Sequence, residues 1–211
     1  MKRYLCFAIA LLSATITFAQ TGLEIVNRMN QRLSDRKADG IAVSVDVKIP
    51  IVGTISTKTW SLGKKTRLDI ESSKINVITF MEDTTQWVYT PANNEVLITN
   101  MSFGNNNVSD NPGMDVSMFD DIPDGYDISI KSQNSVKWEL VCKRKKSNKD
   151  DDSPKTISLE VRKETYEPIS MSTKIMGINC TMHHFIFGVT EDKVTFNPDN
   201  YPGIKISDQR K

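Results

Sequence analysis

Residues 41–71 read IAVSVDVKIPIVGTISTKTWSLGKKTRLDIE, and their spacing decides the fold class. Val43, Val45, Val47 and Ile49 alternate with Ser44, Asp46 and Lys48, the two-residue period of a strand with one buried face. Pro50 and Gly53 break the run. Residues 55–62 and 65–71 resume it, with Leu68 and Ile70 set against Arg67, Asp69 and Glu71. Alternation of this kind, repeated across short turns, is the mark of an antiparallel meander rather than of parallel strands buried on both sides.

Upstream the period is near 3.6. Thr21 opens an amphipathic helix, and Glu24 three residues later completes a capping box. Leu23, Val26, Met29 or Asn30, and Leu33 fall on one face, and the helix is expected to end by Lys37, before Asp39-Gly40. Downstream, residues 75–81, 85–90 and 95–99 continue the meander, with a turn at Pro91-Ala92-Asn93-Asn94. Then the pattern changes. Asp110-Asn111-Pro112-Gly113 resembles a helix start, Met114, Met118, Phe119 and Ile122 follow at helical spacing, and Pro123-Asp124-Gly125 is expected to end the segment. Strands resume at 127–132, at Val136 to Cys142 and at Ile157 to Val161, the last two flanking a charged loop from Lys143 to Lys155. Residues 169–175, 180–188 and 194–196 read as the final strands. About ten strands with two helical segments make a mainly β, α+β chain, and the connections are too short for parallel crossovers.

The chain has 211 residues, with 27 Lys and Arg against 26 Asp and Glu. That length suits a single domain. The charge balance argues against a nucleic-acid binder, whose basic surplus would neutralise phosphates, and against a polybasic membrane-surface protein. Residues 1–19 read as a signal peptide: Lys2 and Arg3, an apolar run from Leu5 to Ile16, and Thr17-Phe18-Ala19 before the cleavage point. Cleavage would remove Lys2, Arg3 and Cys6, leaving 25 basic against 26 acidic residues in a single domain over 20–211. The expected location is the periplasm. No cysteine stands at the cleavage point to carry a lipid anchor. Cys142 and Cys180 would meet an oxidising compartment, either as a disulfide or as two small buried hydrophobes.

Little in the sequence supports catalysis. His183 and His184 are adjacent in an expected strand, so they should point to opposite faces, one partly buried and one exposed, and not share a metal. Asp150-Asp151-Asp152 lacks the glycine-centred, spaced ligands of a calcium loop. There is no phosphate-cradling glycine loop and no G-x-S-x-G elbow. No catalytic residue, metal or cofactor is assigned, and the chain is not expected to be an enzyme. What stands out is apolar surface. Trp87 and Tyr89 share a face, Trp60 and Trp138 lie on other strands, and Met114 and Met118 would suit an adaptable lid. That pattern favours binding of something greasy and heterogeneous.

The order of motifs resembles the LolA family, periplasmic carriers that escort lipoproteins toward the outer membrane, and its wider LolA-like superfamily. Trp87-Val88-Tyr89-Thr90-Pro91 matches the family's Trp-x-Tyr-x-Pro element, followed by Asn94-Glu95-Val96. Lys64 to Asp69 is similar to its basic-then-Arg strand. Val194 to Pro198, running on to Gly203 and Asp208, is similar to its closing Phe-x-Pro and Gly pattern. The resemblance implies an incomplete, strongly curved antiparallel β-barrel covered by the N-terminal helix and a short central lid helix. It implies a monomer whose apolar concavity takes lipoprotein acyl chains or lipids, loaded by an inner-membrane transporter and passed to an outer-membrane acceptor. On this reading the lipid-binding residues are Trp60, Leu68, Trp87, Tyr89, Met114, Met118 and Phe119. The chain departs from the family where Ser61-Leu62-Gly63-Lys64 follows Trp60, in place of an Arg-Pro pair. A LolA-like sensor or interaction module, binding a lipid or an envelope protein, is the alternative.

Overall fold

Helix α1 (Gly22–Asp35) starts as the capping box requires. The Glu24 amide donates to Thr21 Oγ1 at 3.2 Å, and the Thr21 amide donates to Glu24 Oε2 at 2.8 Å. These bonds satisfy two amides that a helix start leaves without partners. The computed structural model describes residues 20–101, 119–150 and 153–210. The expected signal segment, the expected helix start with Met114 and Met118, and Asp151-Asp152 lie outside the described residues. The buried stripe of α1 is Ile25, Val26, Met29 and Leu33, whereas Leu23 is 45% exposed. Residues 25, 29 and 33 form an i+4 row. Val26, Met29 and Leu33 of the expected face are buried, and Ile25 joins them in place of Leu23.

Twelve strands form one sheet: β1 (Ile41–Ile49), β2 (Gly53–Leu62), β3 (Lys65–Glu71), β4 (Asn76–Glu82), β5 (Thr85–Thr90), β6 (Glu95–Asn100), β7 (Tyr126–Gln133), β8 (Lys137–Arg144), β9 (Thr156–Arg162), β10 (Pro168–Ile175), β11 (Ile178–Phe187) and β12 (Lys205–Asp208). Their order is β12-β6-β5-β4-β3-β2-β1-β11-β10-β9-β8-β7. Two meanders, β1–β6 and β7–β11, are joined at the centre by the long-range pair β1–β11. The sheet is a strongly curved, unclosed barrel with helices, as the resemblance implies. Every neighbouring pair is antiparallel except β12, which runs parallel to the edge of β6.

Two local expectations are corrected, and one is refined. Residues 194–196 do not make a strand: Glu191–Val194 form a helical turn, α3, and Phe196 follows it in irregular chain. The helical segment ends at Gly125 as expected, with Pro123-Asp124-Gly125 inside its last turn, α2 (Ile122–Gly125). Proline is at home in a first helical turn, where its missing N–H has no partner to lose. Finally, His183 and His184 do not diverge. The β1–β11 register shifts between Ala42 and Ser44, and His184 adopts φ 55°. The extra residue of this bulge brings the two rings to 4.4 Å between centroids.

Register assigns every side chain to one of two faces. Ala42, Trp60, Arg67, Phe80, Trp87 and Ile98 lie side by side on the outer face. Thr59, Leu68, Thr79, Val88 and Leu97 form the adjacent row on the inner face. On the inner face of β1 and β7–β11, α1 packs against Val43, Trp138, Leu140, Cys142, Leu159, Val161 and Met182, all buried. Fully burying a side chain of this size contributes roughly 1.5–3 kcal/mol, so the four apolar residues of α1 supply roughly 6–12 kcal/mol before ordering entropy is subtracted. The fit is close at the start of the helix, where a Cβ on Gly22 would stand 2.8 Å from Ile128 Cγ2.

Cys142 and Cys180 are both free thiols. Their rows connect through Cys142–Ile157, Ile157–Thr173 and Thr173–Cys180, which sets them three strand spacings apart. At about 4.8 Å per spacing that is roughly twice the Cα separation a disulfide tolerates.

Candidate functional site

Two apolar surfaces flank the β2–β6 half of the sheet, one on each side. On the outer side the chain returns over the sheet after β11. Val189 and Val194 pack with Ala42, Trp60 and Leu62. Phe196 then lies edge-on to Phe80 at 5.7 Å and stacks on Trp87 at 6.2 Å, while Tyr201 sits 4.3 Å from Tyr89 and 5.7 Å from Phe196. The Arg67 guanidinium lies over Trp60 at 4.8 Å and Phe80 at 5.3 Å, held by Asp69 at 2.7 Å. Lys65 pins α3 by pairing with Glu191 and with Glu82. Its ammonium is held above its ordinary value, first by the Glu191 hydrogen bond and then by Glu82. Burial likewise pushes the Tyr201 hydroxyl up. Aromatic pairs in such geometries each contribute about 0.5–1.5 kcal/mol beyond area burial. This outer surface is a clasp.

The inner side of the same strands is different. Leu68, Ile70, Val77, Met81, Val88 and Leu97 form an apolar strip interleaved with threonines, and all six are half-buried. Only Ser61 and Thr66 are fully buried on this face of β2–β6, and the Thr66 hydroxyl has no hydrogen-bond partner among the described residues. Thr99 Oγ1 accepts from Gln86 Nε2 at 2.9 Å. The strip adjoins the sealed core directly, because Val43 and Val45 of β1 belong to the core and face Thr59 and Thr57 of β2.

The residues assigned to lipid from the sequence are therefore divided. Trp60 lies on the outer face with Val189 and Val194, and Trp87 and Tyr89 lie on the same face beneath Phe196 and Tyr201. Leu68 is on the inner face. Phe119 is fully buried with the α1 core, 6.0 Å from Phe185, and Met114 and Met118 are outside the described residues. Ile70, Val77, Met81, Val88 and Leu97 were not singled out from sequence. The tight Gly63-Lys64 turn, which pairs Leu62 with Lys65, sets Leu68 and Ile70 on the face of Thr59 and Thr57.

A polar cluster also lies on the outer face. Ser56 Oγ donates to Asp46 Oδ1 at 2.7 Å, His183 Nε2 is 3.0 Å from Asp46 Oδ2, and His183 Nδ1 is 2.8 Å from His184 Nδ1. A carboxylate only accepts, so His183 donates from Nε2 to Asp46, and a single proton lies between the two Nδ1 atoms. The Ser56 hydroxyl first, and His183 second, hold the Asp46 carboxyl below its ordinary value. Among the described residues no three His, Cys, Asp or Glu side chains gather to hold a metal.

No family model matches the sequence, and no curated protein does. Solved structures do match in part. Its structural neighbours include a LolA superfamily protein. That protein, from Nitrosomonas europaea, is 11% identical over 86% of this chain and 100% of its own, with a TM-score of 0.34. The MucA/MucB complex of Pseudomonas aeruginosa matches at 12% identity over 84% of this chain and 62% of the matched chain, with a TM-score of 0.46. Lipoprotein LppX of Mycobacterium tuberculosis matches at 7% identity over 75% of this chain and 92% of its own, with a TM-score of 0.44. These likenesses concern the fold.

Proposed function

We propose that residues 20–211 act as a single extracytoplasmic domain that shields the acyl chains of a lipid or lipoprotein on the inner face of β2–β6. The half-buried strip of Leu68, Ile70, Val77, Met81, Val88 and Leu97 carries this reading. Burying about ten methylenes of one chain contributes roughly 8 kcal/mol, enough to hold cargo without covalent chemistry. Trp60, Trp87 and Tyr89 act on the site from behind, by fixing the curvature of the strands that carry it. The signal peptide delivers the protein to the periplasm. An inner-membrane transporter loads it, an outer-membrane acceptor unloads it, and it works as a monomer without catalysis.

Native mass spectrometry of the exported protein, followed by lipid extraction, tests the reading. A stoichiometric acylated ligand, lost on Leu68→Asp in a variant with unchanged far-UV circular dichroism, supports it. An empty mass, with no uptake from added lipoprotein, would move the function to that of a protein-interaction module.

A further inference from the structure

One rim of the sheet carries most of the apolar surface the fold leaves in water. Among the described residues nine large hydrophobic side chains are exposed, and five of them, Ile51, Val52, Ile75, Ile175 and Met176, sit on or beside turns at this rim. Lys48 pairs with Asn179 across β1–β11, which sets the β1–β2 and β10–β11 turns next to each other. The β3–β4 turn carrying Ile75 follows along the same end, since Ser56 pairs with Glu71 and Glu71 with Asn76.

The tips are costly twice over. Ile51 is 107% exposed and Met176 97% exposed. Both also hold left-handed backbone, Ile51 at φ 72° and Met176 at φ 50°. Met176 and Gly177, both at positive φ, form a two-residue hairpin whose first position favours asparagine or aspartate. A β-branched isoleucine at positive φ is rarer still. Among the described residues neither side chain is covered in a way that would offset this strain.

The ring around the tips is basic. Lys48, Lys74, Lys155 and Lys174 are exposed there, and Arg144, Lys155 and Lys174 line a groove of about 620 Å³ beside Met176. Among the described residues Glu71 and Asp150 are the exposed acids beside these lysines. The overall charge balance conceals this local surplus.

We propose that this rim docks on an anionic phospholipid bilayer, with Ile51, Val52, Ile75 and Met176 entering the interface and the lysines meeting the headgroup phosphates. Apolar tips supply insertion, and each basic residue near an anionic surface adds attraction that salt screens. The surface is distinct from the acyl strip and does not depend on it.

Co-sedimentation of residues 20–211 with vesicles tests the proposal, comparing phosphatidylcholine alone with phosphatidylcholine containing phosphatidylglycerol. Partitioning is expected into the anionic vesicles, falling about tenfold or more for Lys48→Glu with Lys174→Glu. Ile51→Asp with Met176→Asp should abolish it while leaving any lipid retained in the native mass spectrum untouched. Leu68→Asp should do the reverse. To separate docking from turn stability, Ile51→Gly with Met176→Gly is the second variant: it relieves the backbone, so thermal stability should hold or rise while vesicle binding falls. Partitioning into neither vesicle would overturn the proposal, as would tip variants that bind like the parent. A dimer abolished by Ile51→Asp, without vesicle binding, would assign the rim to a second copy of the chain.

Discussion

The two halves of the sheet are closed from opposite sides. In β7–β11 with β1, helix α1 seals the inner face, and Leu140, Leu159 and Val161 are at most 1% exposed. In β2–β6 the C-terminal segment seals the outer face, where Phe80 and Val96 are buried, and the inner strip stays half-buried. One half is a core that stabilises. The other is a wall whose back is anchored so that its front can stay available. A binding surface made from strands needs such a brace, because a sheet left uncovered on both faces could not hold its curvature.

The sharpest break between the halves should come from paired truncations. Leu159→Ala is expected to cost about 2–5 kcal/mol, and Leu68→Ala only about 1 kcal/mol, read as shifts in the urea midpoint. Equal losses would mean that the strip is core. Thiol chemistry draws the same line from the sealed side. Burial pushes the Cys142 thiol up to about 11 and raises Cys180 as well. A disulfide-exchange reagent at pH 8 should therefore modify half-buried Cys180 in the native state and reach Cys142 only on unfolding. Rapid double labelling would show that α1 does not seal its half.

Phe196→Ala should loosen the clasp, costing about 1–3 kcal/mol, and expose the segment after β11 to protease before the rest of the domain. Simultaneous cleavage throughout the chain would show that the brace is not a separable layer. The smallest effect belongs to the seam between the halves. The Asp46 carboxyl is depressed below its ordinary 3.8 in the fold. Its contribution is therefore complete above that value and disappears as the pH falls through the lower folded one. Ser56→Ala should flatten this acid limb slightly, since the Asp46 side chain is 39% exposed. An unchanged acid titration would remove Ser56 as the cause.

Elements with local chemistry were legible in the sequence. The Thr21–Glu24 box fixed the start of α1, and strict alternation gave β3 and β5 their limits. What failed depended on partners far along the chain. Phe196 looks like strand from its neighbours, because nothing local says that Phe80 and Trp87 will receive it. The histidine bulge is a mismatch between β1 and β11, and neither strand alone displays it. The candidate site suffered most. Aromatic size drew attention to Trp60, Trp87 and Tyr89, while the face opposite them is marked only by threonines between ordinary aliphatics. Register decides which face lies inside, and a one-residue slip reverses it.

The pairing of β12 with β6 also has a consequence for how the chain is made. In synthesis from the N terminus, Trp60, Phe80 and Trp87 emerge long before Phe196 and Tyr201, and β1 emerges long before β11. The first meander must therefore wait with its aromatic face uncovered and its first strand lacking a neighbour, a sequence of events that slows folding. Under the proposed export, the chain would meet this interval on the far side of the membrane. The last described strand to arrive then completes the edge of the sheet, so folding of the β2–β6 half waits for β12.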